Sequence, residues 1–212
     1  MALDMFFTAD EWPMSKMKWK LLDSQPLYQG FFKIDLCRIR HQTYQGGEIE
    51  IQRELFHRGD AVAVLLYDPV ADRVVLIEQF RVGAIGEENP WLLEIVAGML
   101  EEGESVHDVA RRECKEEAGL DVHAFEPVYS FYSSPGGCSE RIHLVCALVD
   151  SEQAEGTHGL EAEGEDIRVR VVDFAETHDL IASAKISSAI PLIALQWLQL
   201  NRERLQMESF VL

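Results

Sequence analysis

The chain is short of cysteine and shorter still of positive charge. Its four cysteines, Cys37, Cys114, Cys138 and Cys146, show no C-x-x-C spacing, which removes zinc-ribbon and redox-pair readings. Lysine and arginine together number 19 against 37 aspartates and glutamates, a formal net charge of −18. So acidic a surface excludes nucleic acid as a partner, because phosphate backbones are gripped by basic faces. No basic segment followed by an apolar one opens the chain, so no signal peptide is expected. The longest apolar stretch, around Ala189 to Leu200, is too short and interrupted to span a bilayer. No membrane partner and a cytoplasmic location are the resulting expectations. Internal repeats and low-complexity tracts are also missing, and the seven histidines show no ligand spacing, which makes them surface or packing residues.

What is present is an ordinary globular composition, with 47% hydrophobic and 26% charged residues in 212. That length supports one sizeable core with a small appended subdomain. Met1 to Met17 shows no clear period and reads as a loose or partly ordered arm. Trp19–Leu22, Tyr28–His41 and Ile49–Phe56 read as strands, with a turn signal at Tyr44 to Gly47. Three such strands make a small antiparallel sheet with too little core to stand alone. From Asp60 a second unit begins. Strands are expected at Ala61–Tyr67 and Val74–Arg81 around the turn Asp68 to Asp72, then at Trp91–Val96, Phe125–Tyr132, Ile142–Val149 and Ile167–Asp173. Helices are expected at Ala175–Ala184 and Pro191–Gln206, the second with Leu192, Leu195, Leu198 and Leu205 on one stripe and Pro191 in its first turn. The division predicted is residues 1–58 for the arm and small sheet, and 59–212 for the main domain.

The chemistry concentrates in Gly98 to Leu120, GMLEEGESVHDVARRECKEEAGL. Ser105 is a helix cap with Asp108 three residues on, Val106 to Ala118 lacks glycine and proline, and Gly119 is a stop signal. Val106, Val109, Ala110 and Cys114 mark a buried stripe, with Glu113 and Glu117 four apart on the other side and Glu116 beside them. Carboxylates clustered on one helix face repel one another, and a divalent cation reverses that sign; hard oxygen ligands suit Mg²⁺, with Mn²⁺ as a substitute. Arg112, placed to pair with Glu104 or Glu116, argues against a merely solvated acidic face.

The same stretch fits G-x5-E-x7-R-E-U-x-E-E-x-G-U (U apolar) at Gly98, Glu104, Arg112, Glu113, Cys114, Glu116, Glu117, Gly119 and Leu120. The chain therefore resembles the Nudix hydrolases. From about Tyr28 to Gln199 it looks like their ADP-ribose pyrophosphatase subfamily. Three features carry this: Pro135 sixteen residues beyond Gly119, the small sheet before the main domain, and the acidic loop Gly159 to Asp166. The resemblance implies an α/β (α+β) Nudix fold, a mixed-sheet α/β/α sandwich with a small N-terminal antiparallel β-sheet subdomain.

It also implies roles. The metal ligands would be Glu113, Glu117, Glu165 and the carbonyl of Ala97. The catalytic base would be Glu163, with Glu161 a rival on the same loop. Arg81 would hold the diphosphate through its guanidinium. Phe31 and Phe32 match positions that stack on adenine, and strand alternation allows only one of them to do so. Arg53, Glu54 and Arg58 match positions lining the same pocket, Met99 a loop contact, and Ser134, Pro135, Gly136 and Glu140 the ribose side. Gln52 and His57, beside Arg53 and Arg58, depart from the charge expected there, which touches purine selectivity. The subfamily forms homodimers that exchange their N-terminal sheets.

The activity implied is Mg²⁺-dependent hydrolysis of the diphosphate of ADP-ribose to AMP and ribose 5-phosphate. The alternative is a pyrophosphatase for another nucleoside diphosphosugar, GDP-mannose for example. A non-catalytic domain that senses ADP-ribose is opposed by the intact box and the lack of a basic DNA-binding extension.

Overall fold

The computed structural model describes residues 17–209, so most of the expected N-terminal arm lies outside the described residues. The chain falls into two compact units, Met1–His57 and Arg58–Leu212.

The first unit is an antiparallel sheet in the order β1 (Trp19–Gln29), β2 (Lys33–Gln42), β3 (Glu48–His57). Its register stacks Trp19, His41 and Ile49 in one row and Leu21, Ile39 and Ile51 in the next, all on one face. Of its described residues only Cys37 is buried, while Trp19 stays 73% exposed, so this sheet has almost no core of its own. The single strand expected over Tyr28–His41 is in fact a hairpin. Gly30 to Phe32 forms the turn, with the Gly30 N–H donating to the Phe32 carbonyl at 3.0 Å. Phe31 and Phe32 therefore sit in a turn, where strand alternation does not sort them. Phe31 is exposed, and Phe32 packs edge-on against Phe56 at 5.1 Å.

The second unit is built on an eight-stranded mixed sheet. Its strands are β4 (Ala61–Asp68), β5 (Arg73–Phe80), β6 (Trp91–Glu94), β7 (Val96–Met99), β8 (Glu126–Tyr132), β9 (Arg141–Leu148), β10 (Thr157–His158) and β11 (Ile167–Asp173). The path runs β10-β11-β5-β4-β9-β8, and β4–β9 is its parallel pair. The β4–β5 hairpin pairs only near its turn, from Leu66 opposite Val75 to Asp68 opposite Arg73. Beyond that the two strands splay, and the segment Trp91–Met99 wedges between them, β6 against β5 and β7 against β4. That wedge delivers Ala97 and Gly98 to the middle of the sheet.

The hairpin turn is locked by Asp68, which accepts hydrogen bonds from the N–H groups of Val70 and Ala71 and from both the N–H and hydroxyl of Ser151. Burial pushes the Asp68 carboxyl up, but these four donors outweigh it and leave its pKa below the ordinary value.

Alternation along the strands makes two cores. One face of the sheet packs Val62, Val64, Val75, Ile77 and Ile167 against α1 (Val106–Ala118). The other packs Ala63, Leu65, Val74 and Leu76 against α2 (Phe174–Ala182) and α3 (Ala189–Ser209), with Leu195, Leu198 and Leu205 of α3 buried as the stripe requires. The α/β/α sandwich expected from the sequence is the fold observed. Among the described residues no helix is long and apolar enough to cross a membrane.

Candidate active site

Helix α1 is set in place at both ends by its own sequence. Ser105 and Asp108 form a reciprocal capping box, the Ser105 hydroxyl accepting the Asp108 N–H at 3.2 Å. Gly119 closes the helix in the left-handed region at φ 71°, where a side chain would be strained and would also strike the His158 imidazole.

The helix presents its carboxylates differently from the expectation. The sequence sets Glu113 and Glu117 on the side away from the buried stripe; they are 8% and 2% exposed, beside the buried Ala110, Cys114 and Ala118. The physical reason is a gap in the facing strand. Gly98 has no side chain, and any Cβ there would occupy the space of the Glu113 carboxyl. One residue back, the Ala97 N–H donates to Glu117 Oε2 at 2.9 Å.

Electrostatics follow from this burial. The Glu117 carboxyl is pushed up to about 8, chiefly by burial and further by Glu113 and Glu165, against the Ala97 hydrogen bond and the Arg81 charge. Burial likewise raises Glu113, although Arg112 opposes it. Arg112 bridges three carboxylates, with its nitrogens 2.7 Å from Glu113, 3.3 Å from Glu116 and 3.6 Å from Glu104. The sequence offered Glu104 or Glu116 as its partner; it takes both and Glu113 besides.

The acidic loop is tied to the same helix, the Gly159 N–H donating to the Glu116 carbonyl at 3.0 Å. Glu165 is half-buried and accepts the Leu160 N–H at 3.1 Å, while its charge is felt by both Glu113 and Glu117. Glu161 and Glu163 sit on the short 3-10 turn between, both exposed to solvent.

Arg81 follows β5 and donates from Nε to Glu94 Oε2 at 2.5 Å. Glu94 in turn accepts the Ser188 hydroxyl at 3.0 Å. The sequence reading missed Glu94, and only the β5–β6 pairing that brings the wedge alongside could have signalled it. On the other side of the wedge, Arg58 pairs with the buried Glu140, whose carbonyl accepts the Ser133 N–H at 3.3 Å. Ser134, Pro135 and Gly136 lie in the exposed loop just before Glu140, and Met99 reaches over Gly59 next to Arg58. Phe31, Phe32, Arg53 and Glu54 belong to the first unit. Arg53 and Glu54, being consecutive on β3, point to opposite faces of that sheet.

Among the described residues, no three His, Cys, Asp or Glu side chains converge closely enough to enclose a cation. Each of the three expected carboxylates is turned to an N–H donor: Glu113 to Arg112, Glu117 to Ala97, Glu165 to Leu160. The donor set still fits a hard divalent ion. It offers carboxylate oxygens whose burial is costly without positive charge, beside a glycine that leaves room at the strand.

Comparison with known proteins agrees with this geometry. The chain is 51% identical over 191 residues to an ADP-ribose pyrophosphatase of Escherichia coli (strain K12), spanning 89% of this chain and 91% of that protein. It is 37% identical over 170 residues to a GDP-mannose pyrophosphatase of Cronobacter sakazakii, spanning 77% of this chain and 88% of that one. A crystal structure of an ADP compounds hydrolase matches with a TM-score of 0.65 at 22% identity, over 86% of this chain and 92% of that one, a likeness of fold alone. The NUDIX domain model matches residues 57–192, which contain the capped helix, its buried glutamates and the acidic loop, and the chain belongs to the NUDIX family.

Proposed function

We propose that this enzyme hydrolyses the diphosphate of ADP-ribose, giving AMP and ribose 5-phosphate. The observation that carries the reading is the buried pair Glu113–Glu117 against Gly98 and Ala97, with Arg81 and Glu165 in electrostatic reach. The 51% identity to an ADP-ribose pyrophosphatase, against 37% to a GDP-mannose pyrophosphatase, favours ADP-ribose as the nucleotide sugar.

Glu113, Glu117, Glu165 and the Ala97 carbonyl would hold Mg²⁺, which Mn²⁺ can replace. When bound, such ions neutralise charge building on the diphosphate and acidify a coordinated water. The remaining work belongs to side chains. Arg81, held at Nε by Glu94, keeps its outer guanidinium nitrogens for the diphosphate oxygens. Glu163 accepts the proton of the attacking water at its carboxylate; Glu161, two residues earlier and also exposed, is the rival for that role. A new bond forms from the water oxygen to one phosphorus, and the bond from that phosphorus to the bridging oxygen breaks. Arg58 with Glu140, Met99 and the Ser134–Gly136 loop would border the ribose. Phe31 or Phe32, with Arg53 and Glu54, would meet the adenine. We further read the enzyme as a homodimer that exchanges its N-terminal sheets, a reading supported by Trp19, Ile49, Leu21, Ile39 and Ile51 on one face of a sheet with almost no core. Residues 1–58 then supply dimer contact and part of the pocket, and 59–212 the chemistry. Nucleic acid is opposed by the −18 charge, and four free thiols suit the reducing cytoplasm.

The test is product chromatography of ADP-ribose and GDP-mannose with Mg²⁺, for wild type and Glu117→Gln. AMP from ADP-ribose in excess, lost in the variant, supports the proposal. A preference for GDP-mannose would keep the mechanism and overturn the substrate.

A further inference from the structure

Gln79, near the end of β5, is 5% exposed, and its side-chain Nε2 is buried without a hydrogen-bond partner. Native folds rarely leave a buried amide donor unpaired, and such a donor marks a place where a water, an ion or a ligand is bound. Strand alternation says where this one points. Val75 and Ile77, four and two residues earlier, are buried in the core beneath α1, so Gln79 shares that face and Arg81 is the next residue along it. The β5–β11 register sets Arg168 opposite Glu78, which brings Ile167 beside Gln79 in the same core. Glu165 lies two residues before the start of that neighbouring strand. Strand order thus sets Gln79 next inward from Arg81 on this face and beside the strand that Glu165 precedes; the charges of both groups reach Glu117.

We propose that the Gln79 side-chain amide donates a hydrogen bond to a non-bridging oxygen of the substrate diphosphate, beside the Arg81 guanidinium. The inference rests on the reading of the site as a diphosphate site. Neutrality suits the position. A lysine there would pair with Glu117 or Glu165 and compete for the carboxylates, whereas an amide donates without adding charge.

Gln79→Met keeps the length and removes the donor; Gln79→Glu keeps the shape and replaces the donor with a repelling carboxylate. Calorimetric binding of ADP and of adenosine, with saturating Mg²⁺, is measured for wild type and both variants, together with urea midpoints and ADP-ribose turnover. ADP affinity is expected to fall about 10-fold in the Met variant and about 100-fold in the Glu variant, with adenosine affinity unchanged and the Met midpoint at or above wild type. If the Glu variant does not fold, the Met variant decides. ADP affinity equal to wild type in the Met variant overturns the inference, and so does a matching loss for ADP and adenosine, which would mark a structural role. Wild-type protein that fails to hydrolyse ADP-ribose overturns the proposed substrate, while the ADP-against-adenosine contrast still decides the role of Gln79.

Discussion

Glu117 is the residue whose replacement separates stability from activity most sharply. Its carboxyl is 2% exposed and accepts a single backbone hydrogen bond, from Ala97. Folding moves its pKa from an ordinary 4.5 to about 8, so the ionised folded form is disfavoured by up to about 5 kcal/mol. The sign follows from proton counting. Below pH 4.5 both folded and unfolded chains hold the proton and nothing is lost. As pH rises towards 8 the unfolded chain has released it and the folded chain has not, so stability falls. Glutamine keeps the shape and the acceptor for Ala97 but cannot ionise. In EDTA, urea unfolding of wild type and Glu117→Gln from pH 5 to pH 8 should therefore diverge. The advantage of the glutamine should grow by roughly 3 kcal/mol across that range, on the order of 1 at the acid end and 4 at the alkaline end. Carboxylates remote from Glu117 titrate equally in both proteins and cancel in the difference, whereas Glu113 and Glu165 are coupled to it and belong to the measured effect. A gap independent of pH, or a glutamine variant less stable at pH 8, would refute the buried, proton-retaining carboxyl. The same variant should be inactive, since the oxygen it loses is an expected cation ligand.

Three further outcomes follow from the geometry. Gly98→Ala places a methyl group where the Glu113 carboxyl lies; displacing that group by about 1 Å should lower kcat/KM on the order of 100-fold, with far-ultraviolet circular dichroism unchanged. Glu163→Gln should lower kcat by about 100-fold or more with KM little altered, and Glu161→Gln only a few-fold; the reverse order would give the proton-accepting role to Glu161. Asp68→Ala strips the acceptor from four donors at the β4–β5 turn and should cost about 3 kcal/mol in urea unfolding at pH 7. That stabilisation is present above the unfolded pKa and is lost as pH falls through the depressed folded value, so the wild-type advantage should shrink in acid.

The parts of the fold that could be read from the chain are those whose causes are local. The limits of α1 fall where Ser105 and Gly119 put them, because a cap and a left-handed stop act within one turn. The Asp68 turn declares itself through its own side chain, and Leu195, Leu198 and Leu205 mark the inner face of α3 by period alone. The elements that were misread depend on distant pairing. Tyr28 to His41 is apolar enough for one long strand, and only the return of β2 along β1 reveals the Gly30–Phe32 turn. The two-residue β10 exists because β11 lies next to it, with Thr157 opposite Arg168. Nothing within Trp91–Val96 foretells its division between β6 and β7; the splaying of β4 from β5 imposes that.

The site divides along the same line. Box spacing places Glu113 and Glu117 together because residues four apart on a helix are neighbours whatever surrounds them. Their burial is a different matter. Each lies about 60° round the helix from an apolar neighbour, Ala110 or Cys114, close enough to be drawn under the sheet or left in water. The deciding atom is one that is missing, the Cβ of Gly98, on a strand that reaches the helix only through the wedge. A larger residue there would leave Glu113 outside, with its acidity near normal and its partner Arg112 free to turn to solvent. The sequence names the carboxylates; their raised proton affinity comes from burial, which the β4–β7 pairing brings about by setting Gly98 against Glu113 and Ala97 against Glu117.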